Sequence, residues 1–241
     1  MKGLKMSNKI KKNIFAYSGS GNKLSTCTTL IKKIIAQVET DLADSIEIHS
    51  FVHTPNNTEI INCCGCNQCF LAGKCSMDNK DDMKIIKEEM LNADLIIFAT
   101  PVYVNNVTGD FKIFMDRLAY WTHLFRLLGK PVYHVISTSN SGIEVVQNIL
   151  DSFSLYLGLN LLGVAILSGQ NDYYNPQFTE HCDIVKNALL EKRSKCFGPD
   201  MNRAFLAQKI IFQQYDEKSP EYQYWKLNGF FELETLDEVL E

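Results

Sequence analysis

The sequence predicts a doubly wound α/β domain with a mostly parallel five-stranded sheet, followed by a helical C-terminal extension. Three observations carry that expectation. Strand and helix patterns alternate from residue 12 to about residue 168. The strand candidates are short apolar runs of the kind buried on both faces. Three of the loops that follow strands are rich in Gly, Ser, Thr or Asn.

The elements follow in order. Asn13–Tyr17 is an apolar run that ends in Ser and Gly, as a buried parallel strand does. Lys23–Val38 reads as a helix with Leu30, Ile34 and Ile35 on one side, and Ile46–Phe51 alternates as a second strand. Asp81 or Asp82 caps a helix that runs to about Asn92. Asp94–Thr100 is the clearest buried strand, and Thr108 opens a helix with Phe111, Phe114, Met115 and Leu118 at i, i+3, i+4, i+7. Val132–Ser137 and Leu161–Leu167 supply two more strands around a helix at Ile143–Leu157. Beyond Ser168, Asn175–Lys195 and Asn202–Tyr215 read as helices. A third starts at Ser219-Pro220 and stops at Asn228-Gly229. The expected organisation is a flexible tail (1–11), the α/β domain (12–168) and the extension (169–241), whose Tyr222, Tyr224, Trp225, Phe230 and Phe231 pack on their own domain, a partner subunit or a substrate entrance.

The 241-residue chain has a net charge of −4, which argues against a nucleic-acid groove or an anionic membrane surface as partner. No apolar run approaches the roughly 18 residues of a membrane span. The lysines near the start (Lys2, Lys5, Lys9, Lys11, Lys12) precede no long apolar segment, so a cytoplasmic, reducing compartment is expected and a disulfide cage is not.

In a doubly wound sheet, ligands sit beyond the C-terminal strand ends, where strand order reverses. The loops Ser18–Ser25, Pro101–Val107 and Ser137–Gly142 therefore carry the expected chemistry. Ser18-Gly-Ser-Gly-Asn-Lys-Leu-Ser25 joins a strand to a helix. Its glycines let amides converge on an anion, its hydroxyls add donors, and the helix start adds partial positive charge. It matches neither a Walker A loop nor the dinucleotide fingerprint, and a phosphate monoester suits it best. An ordinary Gly/Ser turn is the alternative.

Five of the eight cysteines lie between Cys63 and Cys75. Cys63, Cys66, Cys69 and Cys75 give C-x2-C-x2-C-x5-C, a spacing from which four thiolates can surround a [4Fe–4S] cluster. A four-cysteine zinc site usually separates two pairs by a longer spacer. A loop of free thiols remains a third possibility. Cys64 reads as a bystander able to trade places with Cys63, and Cys27, Cys182 and Cys196 as buried hydrophobes. His49 and His134 read as structural, and Asp116-Arg117 as a cap or ion pair.

The run Ala93–Tyr103, with Asp110–Arg117 after it, resembles the NADPH-dependent FMN reductase and iron–sulfur flavoprotein families of the flavodoxin-like superfamily. The resemblance spans roughly residues 12–168 and is most specific from Cys63 to Arg117. It implies a flavodoxin-like fold with FMN as cofactor, NAD(P)H as co-substrate, and a homodimer or higher assembly. It further implies that Ser18, Ser20, Gly21, Asn22, Lys23 and Ser25 hold the FMN phosphate. Pro101, Val102, Tyr103, Asn105 and Asn106 would line the isoalloxazine ring, and Ser139, Asn140, Ser141 and Gly142 would close its other side. The spacing of Cys63, Cys66, Cys69 and Cys75 also matches the compact motif of the iron–sulfur flavoproteins. Asn22 stands where many reductase relatives have Arg, so phosphate binding leans on hydroxyls and backbone.

The expected function is an FMN-dependent oxidoreductase that moves electrons from NAD(P)H or a reduced partner to a small-molecule or protein acceptor, through the cluster. No residue is assigned as general acid or base. The alternatives are a flavodoxin-like electron-transfer or redox-sensing module, a cluster-free NAD(P)H:FMN or quinone reductase, and a zinc-stabilised interaction protein.

Overall fold

The computed structural model describes residues 9–168, 177–191 and 197–240. Five strands, β1 (Ile10–Ser18), β2 (Ile46–His53), β3 (Leu95–Pro101), β4 (Pro131–Thr138) and β5 (Asn160–Ser168), form one sheet in the order β2-β1-β3-β4-β5. Every neighbouring pair is parallel. Strand order reverses at β1, so the crevice of the doubly wound fold falls between the ends of β1 and β3.

The sheet is buried on both faces because successive side chains point to opposite sides. In β3, Leu95, Ile97 and Ala99 join one core while Ile96 and Phe98 join the other, and all five are fully buried. The first core is closed by α1 (Thr26–Leu42) through Leu30, Ile31, Ile34, Ile35 and Val38. The second is closed by α3 (Met83–Asn92), α4 (Gly109–Arg117), α5 (Ala119–Thr122) and α6 (Ile143–Leu157). The short α2 (Gln68–Ala72) lies inside the cysteine loop.

Several boundaries differ from expectation. Ile10 and Lys11, expected in a flexible tail, pair with Ile46 and Glu47 as the start of β1; residues 1–8 lie outside the described part. Helix α1 begins at Thr26 rather than Lys23, because the Ser25 hydroxyl accepts from the Thr28 amide and makes Ser25 the cap. The α3 cap is Asp82, and Thr108 caps α4 through the Phe111 amide.

The extension divides in two. Helix α7 (Phe178–Leu190) puts Cys182, Val185 and Leu189 into the core under α1 and so belongs to the α/β fold rather than outside it. Helices α8 (Pro199–Phe212) and α9 (Pro220–Leu227) build a third core with Phe125 of the main domain. Trp225 is fully buried, stacks on Phe205 at 5.2 Å and donates its indole N–H to the His123 carbonyl at 2.9 Å. The aromatic extension therefore packs on its own domain. Cys27 and Cys182 are buried as expected, and Cys196 lies outside the described residues. His134 is buried and shares a 2.9 Å hydrogen bond with the Ser154 hydroxyl, whereas His49 is exposed beside Glu47.

Candidate flavin site and cysteine loop

The three predicted loops meet at the C-terminal edge of the sheet. Gly19 donates its amide to the Ala99 carbonyl at 2.9 Å, and Thr108 donates its hydroxyl to the Gly19 carbonyl at 2.6 Å. A Cβ at Gly19 would lie 2.5 Å from Thr108 Oγ1 and 2.6 Å from Phe111 Cβ, so only glycine lets the first loop reach the β3 edge. The second and third loops touch in the same way. Gly142 has a φ of +84°, and a Cβ there would lie 2.6 Å from Asn105 Oδ1 and 2.7 Å from Val102 Cγ1. At the base of the edge the Cys27 thiol donates to Ser137 Oγ at 3.0 Å. Burial pushes that thiol up to about 11, so it is a packed group rather than a reactive one.

Around the first loop, Ser20 and Ser25 are buried while Asn22 and Lys23 are exposed. Ser18 is held back from the edge: its hydroxyl is fully buried and shares a 2.9 Å hydrogen bond with Thr28 Oγ1. Among the described residues, the amides of Gly21, Lys23, Thr26 and Cys27 find no partner, the last two because they open a helix. Nothing lies within 4 Å of a Cβ position on Gly21. Free amides, a helix N-terminus, buried hydroxyls and open space in one loop make an anion cradle. Asn56, after β2, donates to the Gly21 carbonyl at 3.0 Å and fixes the loop from the far side.

The second loop is a tight turn. Tyr103 and Asn106 exchange backbone bonds of 2.9 and 3.0 Å around Val104 and Asn105, which have φ of 53° and 52°. Two positive-φ residues at the centre mark the type I′ geometry. A β-branched residue there is strained, and strain of this kind collects at functional sites. Val104 is fully exposed and Tyr103 is 56% exposed, so an apolar tip faces solvent beside the cradle. The third loop is exposed from Ser139 to Ser141, with Thr138 Oγ1 donating to the Ser141 carbonyl at 2.7 Å. A cleft of about 250 Å³ opens between the end of β1, the segment after β2 and α4, lined by Tyr17, Pro55, Glu59, Ile60 and Asp110 among others.

The cysteine loop follows the C-terminal end of β2, at the same edge of the sheet. Gly65, Asn67 and Gly73 take left-handed φ of 65°, 55° and 70° and turn it back on itself. Cys63, Cys64 and Cys66 are exposed, and Cys69 and Cys75 half-buried. The Gln68 amide, with Ser76 Oγ at 3.7 Å, draws the Cys66 thiol below the usual thiol range. Among the described residues no three His, Cys, Asp or Glu side chains stand as a ready metal set. Phe70 docks the loop, 5.6 Å from the Tyr120 ring and 4.9 Å from that of His123.

The family model for NADPH-dependent FMN reductase matches residues 13–172. The chain belongs to that family. Its members are FMN-dependent oxidoreductases that use NAD(P)H, and this chain is therefore a flavin oxidoreductase. An iron–sulfur flavoprotein of Archaeoglobus fulgidus is 30% identical over 219 residues, 88% of this chain and 96% of that protein. One from Clostridioides difficile is 28% identical over 201 residues, 83% and 85% of the two chains. Among solved structures, an apo NADH:FMN oxidoreductase superposes with a TM-score of 0.54 at 22% identity, covering 75% of this chain and 91% of its own; at that identity the likeness is one of fold. No helix among the described residues is long and apolar enough to cross a membrane.

Sequence reasoning named the three loops but not Thr108 or Asn56 as their fasteners. Thr108 was legible only as a helix cap. Asn56 sits 35 residues beyond its partner, and no local spacing announces it. Asp116 and Arg117 do not pair with each other: Asp116 meets Lys112, and Arg117 turns inward to Asp78 and Asp81.

Proposed function

We propose that FMN binds across the three loops and that the chain passes electrons from NAD(P)H or a reduced partner to a small-molecule or protein acceptor, through a [4Fe–4S] cluster on Cys63, Cys66, Cys69 and Cys75. The observation that supports the flavin site is that the three loops lie at one sheet edge, the first fastened to Thr108 and carrying unpaired amides, the second and third touching at Gly142. Ser20, Gly21, Asn22, Lys23 and Ser25 hold the phosphate by hydroxyls, amides and one ammonium, with the positive end of α1 behind them. Ser18 serves from behind, by bracing Thr28. Pro101, Val102, Tyr103, Asn105 and Asn106 shield one side of the ring from water, and Ser139 to Gly142 the other.

Bound FMN supplies the link between two-electron hydride chemistry and single-electron transfer. Four thiolates from one loop suit a cubane cluster, and the relatives named iron–sulfur flavoproteins support it. A homodimer completes the reading.

Anaerobically purified protein tests it by visible spectrum, iron and sulfide assay, and NAD(P)H oxidation with an artificial acceptor. Flavin bands, a broad brown absorption bleached on reduction, and steady turnover are expected. Flavin with turnover but without iron or sulfide would leave a cluster-free reductase. Bound flavin without nicotinamide turnover would leave an electron-transfer module. No flavin after addition of FMN would overturn the flavin site itself.

A further inference from the structure

Arg117 ends α4 with its side chain wholly buried, against the equally buried side chain of Asp81 and the mostly buried one of Asp78. Its fork is fully directed. Nη1 donates to the Ile61 carbonyl at 2.8 Å and to the Asp81 carboxylate; Nη2 donates to Asp78 Oδ1 at 3.1 Å and Asp81 Oδ1 at 3.3 Å. Asp81 in turn accepts the Ile61 amide at 2.9 Å and the Met83 amide at 3.1 Å. One step outward, Glu59 donates its amide to Asp82 Oδ2 at 2.8 Å and accepts the Asp82 amide at 3.1 Å. Lys87 closes on Asp78 from outside at 2.7 Å.

Residues 59–61 enter the cysteine loop and residues 78–82 leave it. These bonds lay the two limbs side by side, and Arg117 spans both. All five cysteines of the loop lie between the limbs. Among the described residues, the backbone inside the loop bonds only over short range, within Asn67–Ala72, from Asp78 to the Cys75 carbonyl and from Lys80 to the Met77 carbonyl.

A buried ion pair of this kind is weak as a stabilising device, since apolar side chains of the same volume often do as well. The Arg117 Nε is moreover buried without a partner. What a forked guanidinium supplies that apolar packing does not is fixed geometry.

We propose that Arg117, with Asp78 and Asp81, is the positioning device of the cysteine loop: it locks the limbs and so confines Cys63, Cys66, Cys69 and Cys75 to one closed loop, and it places its guanidinium, paired with the two carboxylates, beside that loop. The inference rests on the cluster reading and deepens it.

The test compares wild type with Arg117→Lys, Arg117→Gln and a charge-neutral set, Asp78→Asn, Asp81→Asn, Lys87→Met and Arg117→Met, which removes two cations with two anions and so strands no buried charge. Three readouts are needed: iron and sulfide per FMN after anaerobic reconstitution, the alkylation rate of the five cysteines, and hydrogen exchange over residues 61–82. Arg117→Gln and the neutral set are expected to keep FMN, exchange faster over 61–82, and hold iron about ten- to a hundredfold more weakly, as outer-shell losses do. In molecules that keep the cluster, its midpoint potential shifts negative in Arg117→Gln and stays near wild type in Arg117→Lys, because a nearby cation favours the reduced form.

Wild-type iron retention, alkylation and exchange in the neutral set would overturn the proposal, and an unchanged potential in Arg117→Gln would remove its charge component. If wild type itself takes up no iron or sulfide, the cluster reading falls. The clamp is then judged on alkylation and exchange alone, with unchanged rates counting against it.

Discussion

A methyl group added at Gly19 would meet Thr108 Oγ1 and Phe111 Cβ inside 3 Å, while one added at Gly21 would meet nothing within 4 Å. The two positions are thus glycine for different reasons. Gly19→Ala is expected to lower stability by about 1–3 kcal/mol, the usual range for overpacking, and to weaken FMN binding as the first loop lifts from the β3 edge. Gly21→Ala should leave urea unfolding of the apoprotein unchanged, because a Cβ there meets no atom within 4 Å, and weaken FMN binding alone, by occupying open space in the loop proposed to hold the phosphate. Paired denaturation and FMN titrations check both, and equal loss of stability in the two variants would contradict the assignment. The sequence already showed that this loop suits an anion, since Gly, Ser and a helix start are local features. It did not show that Gly19 is fixed by a hydroxyl 89 residues away, nor that Arg117 finds carboxylates 36 and 39 residues before it. Long-range partners leave no spacing to read.

At the scale of elements, β3, β4 and β5 were legible to within a residue, while β1 and β2 run two or three residues further than expected. A run such as Leu95–Ala99, apolar at every position, satisfies a sheet covered on both faces and little else. Boundaries moved where a capping bond decided them, as with Ser25 and α1. The role of α7 was not legible, because an amphipathic helix looks the same whether it covers the sheet or lies outside it. The Tyr103–Asn106 turn carries the clearest local strain, with Val104 at a φ of 53°. Val104→Gly should therefore stabilise the apoprotein, by about 1 kcal/mol given the 1–3 kcal/mol range for such conformations, and raise its Tm. FMN affinity is expected to fall in the same variant, since the exposed valine tips the loop proposed to shield the ring. A lowered apoprotein Tm would show that the turn is not strained as described.

At the scale of the whole molecule, the aromatic cluster of α8 and α9 reaches the cysteine loop through His123. Phe205, Phe212 and Phe230 surround Trp225, whose indole holds the His123 carbonyl, and the His123 ring packs on Phe70 of the cysteine loop. Trp225→Ala is expected to cost about 3–5 kcal/mol, as large aromatic deletions in a core do. In guanidinium denaturation it should lower the midpoint, and at low denaturant it should expose Cys69 to alkylation before FMN is released. Simultaneous loss of flavin and thiol protection would mean that the extension supports the whole fold rather than the loop.

The 2.6 Å bond from Thr108 to the Gly19 carbonyl has a consequence for how the cofactor is acquired. The cradle's own groups lie in one loop, but the loop and the hydroxyl that fastens it are synthesised 89 residues apart and meet only when β3 has paired with β1. A nascent chain shorter than that has the loop without its fastening, and a denatured one loses the fastening too. Flavin then binds the native state alone and stabilises it by mass action, by about 2.7 kcal/mol at a hundred times its dissociation constant. The amount of folded protein in the cell is thereby tied to the supply of its own cofactor.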